Sequence, residues 1–131
     1  MSPRAAPARK QYIYEVGIVD FFNARHAVEG GQPHAHSWKI EVKVRRPRYL
    51  GEQSLIDVEM TRRMIRQLFA RYEDRFLNDI PPFTFQEPTA ENLVAYFFQQ
   101  LEKEFRGTSA RLHLLTIWES PTNYVTVIAD E

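Results

Sequence analysis

The sequence predicts an α+β fold: a four-stranded, mainly antiparallel sheet with two helices on one face, in the order β-β-α-α-β-β. Two hydrophobic periods and one length carry that prediction. Apolar residues alternate one in two near both ends of the chain, as in strands with a single buried face. In the middle they recur every third or fourth residue, as in amphipathic helices. The 131 residues suit one domain around one core. Paired strands at both ends favour hairpin-like antiparallel contacts and leave the helices to cover one face. The opposite face then needs cover too, which points to oligomerisation.

Residues 1–10 (MSPRAAPARK) are small, proline-containing and basic, and read as a disordered tail before a single domain over 11–131. From Gln11 to about Val28 the chain is apolar and β-rich, a long strand with a bend expected near Gly17. Glu29-Gly30-Gly31-Gln32-Pro33 reads as a loop. From His34 to Arg45, His34, His36, Trp38, Ile40, Val42 and Val44 share one parity and polar residues the other, so one strand face is buried and one wet. A helix follows over Val58 to Tyr72, with Asp57 as N-cap and Met60, Met64, Leu68 and Tyr72 at every fourth position. A second runs from Ala90 to Arg106, capped by Thr89 and stopped at Gly107, with Leu93, Phe97, Leu101 and Phe105 as its stripe. Two last strands, Arg111–Glu119 and Tyr124–Ala129, flank the short turn Ser120-Pro121-Thr122-Asn123.

Composition excludes several chemistries. There is no cysteine, hence no disulfide, thiolate ligand or thiol nucleophile. The formal net charge is zero, so bulk electrostatics favours neither nucleic acid nor an anionic membrane. No apolar run is long enough to span a bilayer and no export signal is visible, so a cytoplasmic location is the simplest expectation.

The histidines carry the chemistry. His34 and His36 stand two apart on one strand, so both side chains point to the same face. Two imidazoles so placed can converge on one ion at about 2.0–2.1 Å from each nitrogen. His26 comes within reach if the first two strands pair. Three neutral imidazoles leave a fourth tetrahedral position open, the pattern of catalytic zinc. A histidine on an apolar face is also commonly a core residue bonded to backbone, and a His-x-His pair arises readily by chance. His113 has no partner at metal-ligand spacing and reads as structural.

Company along the chain favours the metal. Phe22-Asn23-Ala24-Arg25-His26 and His34-Ala35-His36-Ser37-Trp38 resemble the zinc-binding strands of the 6-pyruvoyl-tetrahydropterin synthase and 6-carboxytetrahydropterin synthase family. Leu55-Ile56-Asp57, Glu73-Asp74-Arg75-Phe76-Leu77-Asn78, Pro88-Thr89-Ala90-Glu91-Asn92-Leu93 and Trp118-Glu119-Ser120 resemble further family landmarks in the right order. The resemblance implies the tunnelling fold, in which sheets of several subunits join into a barrel, usually a hexamer. It implies zinc held by His26, His34 and His36, and a pterin held by Glu119, with backbone contacts from Thr89. One carboxylate can accept two N–H bonds from the amino-pyrimidinone edge of such a ring.

The chain departs from the family in its acid–base residues. Gly30 stands where the family has its catalytic cysteine, and Arg75 replaces the histidine of an Asp-His pair, leaving Asp74. Arginine is a poor proton shuttle at neutral pH. Ala35 replaces the middle glycine of His-Gly-His. Glu29, beside the missing cysteine, is a candidate general base, as some family members use a glutamate there; otherwise it is a solvated loop charge. Arg75 is either a surface residue or a partner for a ligand's phosphate or carboxylate.

Three readings stay open. The leading one is a zinc-dependent lyase acting on a dihydropterin-like small molecule, with Glu29 or Asp74 moving protons. The second is a zinc- and ligand-binding protein that has lost the chemistry. The weakest is a nucleic-acid or partner-binding oligomer using Arg45, Arg46 and Arg48 with arginines of the first helix, against which the neutral net charge argues.

Overall fold

A computed structural model of the chain describes residues 12–46 and 56–130. The expected tail over residues 1–10, Arg48 and Leu55 lie outside the described residues. Alternation in the first strands does what it predicts. β1 (Glu15–His26) and β2 (His34–Arg45) form an antiparallel ladder that runs unbroken from Glu15↔Arg45 to His26↔His34. The bend expected near Gly17 leaves no break in this ladder, because Gly17 pairs directly with Lys43.

β2 pairs antiparallel with β4 (Arg111–Ser120), with a register shift between Lys43 and Val44. β4 pairs antiparallel with β5 (Asn123–Ile128), with a second shift between Trp118 and Ser120. A fifth strand joins the four expected ones. β3 (Arg75–Phe76) lies parallel to β1 at Ala24 and Arg25, giving the sheet order β3-β1-β2-β4-β5. Two residues are too few to show any hydrophobic period. Tertiary bonds hold β3 instead. The Glu73 carboxylate accepts from the Asn23 backbone N–H at 3.0 Å and from its side-chain amide at 3.2 Å, and the Asp74 N–H donates to the Asn23 carbonyl at 2.7 Å.

Both helices lie where the fourfold stripes place them. α1 (Val58–Ala70) packs on β1, and α2 (Ala90–Phe105) packs on β4 and β5. Asp57 Oδ1 accepts the Met60 N–H at 3.0 Å and Thr89 Oγ1 the Asn92 N–H at 3.2 Å; each such cap contributes about 1 kcal/mol. α1 ends two residues short of Tyr72. The N–H groups of Arg71 and Tyr72 reach back only three residues, to Leu68 and Phe69, and this tightened turn closes the helix. Among the described residues, no helix is long and apolar enough to cross a membrane.

The core lies between the sheet and the helices. Phe22 is its centre, with ring centroids 6.2 Å from Trp38, 5.4 Å from Phe69 and 5.9 Å from Phe97. The Trp38 indole N–H donates to the Ala24 carbonyl at 3.3 Å, so this buried ring leaves no polar atom unpaired. Ile18, Phe22 and Ala24 on β1, Trp38 to Val44 on β2, and Leu115 and Ile117 on β4 make three inward-facing rows. Followed to one end of the sheet, all three rows stop being apolar, and the candidate site begins there.

Candidate metal centre

The inward row of β1 ends in His26, that of β2 in His36 and then His34, and that of β4 in Glu119. Strand parity therefore aims four side chains of types that can ligate a metal into one space. One ligand atom from each lies within 4.8 Å of the other three. His26 Nε2 is 3.0 Å from His34 Nε2. The Glu119 Oε1 atom is 3.3 Å from His26 Nε2 and 3.2 Å from His36 Nε2.

Backbone carbonyls set the ring orientations. His26 Nδ1 lies 2.8 Å from the Pro88 carbonyl oxygen and His34 Nδ1 lies 3.1 Å from that of Gln32. A carbonyl only accepts, so each Nδ1 carries a proton and each ring turns its Nε2 atom inward. His26 is 1% exposed and is held further by its neighbour. The Asn78 side chain accepts the Ala27 N–H and donates to the Ala27 carbonyl, both at 2.9 Å. Burial lowers the His36 pKa from its ordinary value, helped by the adjacent His26 and His34 and opposed by the Glu119 charge. A neutral His36 is what ligation requires.

The donor set fits a divalent ion. His36 Nε2 is buried and makes no hydrogen bond, even with a carboxylate oxygen 3.2 Å away. Such an orphaned buried atom is costly unless something else satisfies it. Imidazole and carboxylate donors suit zinc among other divalent metals. A cavity of about 360 Å³ opens beside the cluster, lined by His26, Val28, Thr89, Glu91, Glu119 and Tyr124 among others.

The family profile described as 6-pyruvoyl tetrahydropterin synthase matches residues 16–130, nearly the whole described chain. The chain belongs to the 6-pyruvoyl tetrahydropterin synthase family. Solved structures agree in fold. The Caenorhabditis elegans 6-pyruvoyl tetrahydropterin synthase is 22% identical, with a TM-score of 0.76 over 94% of this chain and 100% of that one. The Plasmodium vivax protein of the same name is 19% identical, with a TM-score of 0.71 over 92% of this chain and 100% of that one. Its Plasmodium falciparum counterpart is 18% identical, with a TM-score of 0.67 over 89% of this chain and 98% of that one. Comparison with curated proteins gave no match.

Against this family background, the structure sorts the residues singled out in the sequence. His26, His34, His36 and Glu119 come together, and Thr89 shares their cavity. Glu29, Asp74 and Arg75 are exposed, and none of the three lines that cavity. Glu29 and Gly30 both have positive φ, 54° and 69°, in the β1–β2 turn, and the Glu29 N–H donates to Glu87 Oε1 at 2.9 Å. Asp74 also has positive φ, 59°, at the entry to β3. Arg45 and Arg46 lie at the far end of the sheet from the histidines. The Arg45 guanidinium bonds Glu15 at 3.1 Å, and that of Arg46 sits 4.6 Å from the Tyr14 ring centre. Sequence reasoning did not foresee Glu119 contacting the imidazoles, nor Glu91 and Tyr124 lining the cavity. The signal for Glu119 was present: it continues the parity of Leu115 and Ile117 as His36 continues that of Trp38.

Proposed function

We propose that this chain is a metal-dependent lyase of its family's type acting on a dihydropterin-like substrate, with zinc held by His26, His34 and His36. The observation that carries this reading is the convergence of these imidazoles with Glu119 beside an open cavity. The ion, when bound, supplies a positive charge that polarises a substrate oxygen. Glu119 accepts two N–H bonds from the amino-pyrimidinone edge of the ring, and Thr89 adds backbone contacts. Glu29 or Asp74 moves protons, and Arg75 takes a phosphate or carboxylate of the substrate. Two further structures of the Plasmodium vivax protein carry alanine and cysteine in place of a catalytic residue whose native type is glutamate. In that protein, then, a catalytic residue is a glutamate.

Incubating the zinc-loaded protein with 7,8-dihydroneopterin triphosphate, followed by mass spectrometry, tests the reading. A new pterin is expected, and its mass separates phosphate elimination from side-chain cleavage. Turnover is expected to vanish in Glu29→Gln and in Glu119→Gln, and full activity in both would sink the proton and ring assignments. One observation favours a second reading, a ligand-binding protein without chemistry. Gly30 occupies the cysteine position, and neither Glu29 nor Asp74 belongs to the donor cluster. Unchanged substrate that stays bound would select that reading.

We also propose that the sheet is completed by copies of the same chain, as a hexamer. On the sheet face opposite the helices Val19 and Phe21 are 44% and 53% exposed, large side chains that an isolated subunit leaves in water. Light scattering should report several chains per particle; the mass of a single chain would refute it.

A further inference from the structure

We infer that the Glu119 carboxylate is a fourth protein donor to the ion, closing the site until an incoming ligand displaces it. The inference rests on the metal reading above and deepens it. A tetrahedral ion with donors at about 2.0–2.1 Å sets its donors about 3.3 Å from one another. Three separations in the cluster come close to this: 3.0 Å between His26 and His34, 3.3 Å between His26 and Glu119, and 3.2 Å between His36 and Glu119. The same oxygen, Oε1, makes both carboxylate contacts. It approaches His36 Nε2 without making a hydrogen bond, as two donors do when they share an ion rather than a proton.

The backbone aims the side chain there. In the β4–β5 ladder Trp118 pairs with Tyr124 and Ser120 with Asn123, so Glu119 is the extra residue of a β-bulge. Bulges bend a strand and re-aim a side chain, and they are common next to active sites. Glu119 is also 33% exposed, so its carboxylate can swing toward the cavity without unpacking the core.

Three protein donors leave the fourth position of a tetrahedral site open, and four close it. The carboxylate proposed to hold the substrate ring is therefore the one that blocks the ion. Capturing the amino-pyrimidinone edge draws Glu119 away and frees the position for a substrate oxygen. Ring recognition and opening of the metal become one event, and a small ligand without such an edge must compete with Glu119.

The full chain loaded with cobalt(II), whose visible spectrum reports coordination, tests this with azide as the probe. An apparent affinity falls in proportion to the fraction of protein whose binding position is open. Azide is expected to bind the wild-type cobalt protein at least ~10-fold more weakly than the Glu119→Ala variant. Equal azide affinities with full cobalt uptake would overturn the inference and leave the metal reading standing. Failure of the wild type to take up cobalt would overturn both. Water-proton relaxation on the wild-type cobalt protein needs no variant: no exchangeable water on the ion is expected, and one bound water would refute a four-donor site.

Discussion

Replacing His26 with alanine is expected to abolish tight binding of a divalent ion, and to do so more completely than any other single change at the site. Removing even an outer partner of a metal ligand lowers affinity about 10–100-fold, so removing a ligand should exceed about 100-fold. His26 is also the member of the cluster most tied to the fold. It is 1% exposed and its ring N–H satisfies the Pro88 carbonyl. Its loss leaves that carbonyl without its partner, at about 1–3 kcal/mol of stability. His34 provides the control, because it is exposed and its Nδ1 bonds only the nearby Gln32 carbonyl. His34→Ala should therefore weaken metal binding with little change in the denaturation midpoint of the metal-free protein. Calorimetric zinc titration and urea unfolding in chelator separate the two effects. Nanomolar zinc binding by His26→Ala would remove it from the ligand set.

Phe22→Ala is expected to produce the largest loss of stability. The ring is 1% exposed and lies within 6.5 Å, centre to centre, of Trp38, Phe69, Tyr72 and Phe97. Four surrounding rings cannot collapse into the gap, so the cavity penalty adds to the lost transfer energy, together about 3–5 kcal/mol. Single domains are stable by only about 5–15 kcal/mol, so the variant should unfold at much lower urea with little change in slope. The comparison belongs in chelator, since an ion at about 1,000 times its Kd adds about 4 kcal/mol and would mask the effect. A loss below about 1 kcal/mol would show that the aromatic cluster tolerates a void at its centre.

Much of the site was legible because strand parity is a one-dimensional signal. His34 and His36 share the parity of Trp38 and Ile40, so their convergence followed once β2 was read as a strand. His26 required only that β1 and β2 pair, and the ladder ends on His26↔His34. The helix stripes and their caps were legible for the same reason, since Asp57 and Thr89 act on backbone groups three residues away. β3 was not, because two residues carry no period and its bonds reach Asn23 across 50 positions of chain.

The sequence by itself determined the alternation, the fourfold stripes and their order, hence the α+β class, the inward row on each strand and the histidines at its end. These rest on local backbone geometry, which repeats at fixed residue intervals. Only the tertiary structure decided what those rows meet. It placed Glu119 against His26 and His36 through a bulge in the β4–β5 ladder, and left Glu29, Asp74 and Arg75 outside the cavity. The physical reason is that parity fixes only which face of its strand a side chain takes, whereas the register that decides what it meets there is set by packing over the whole sheet.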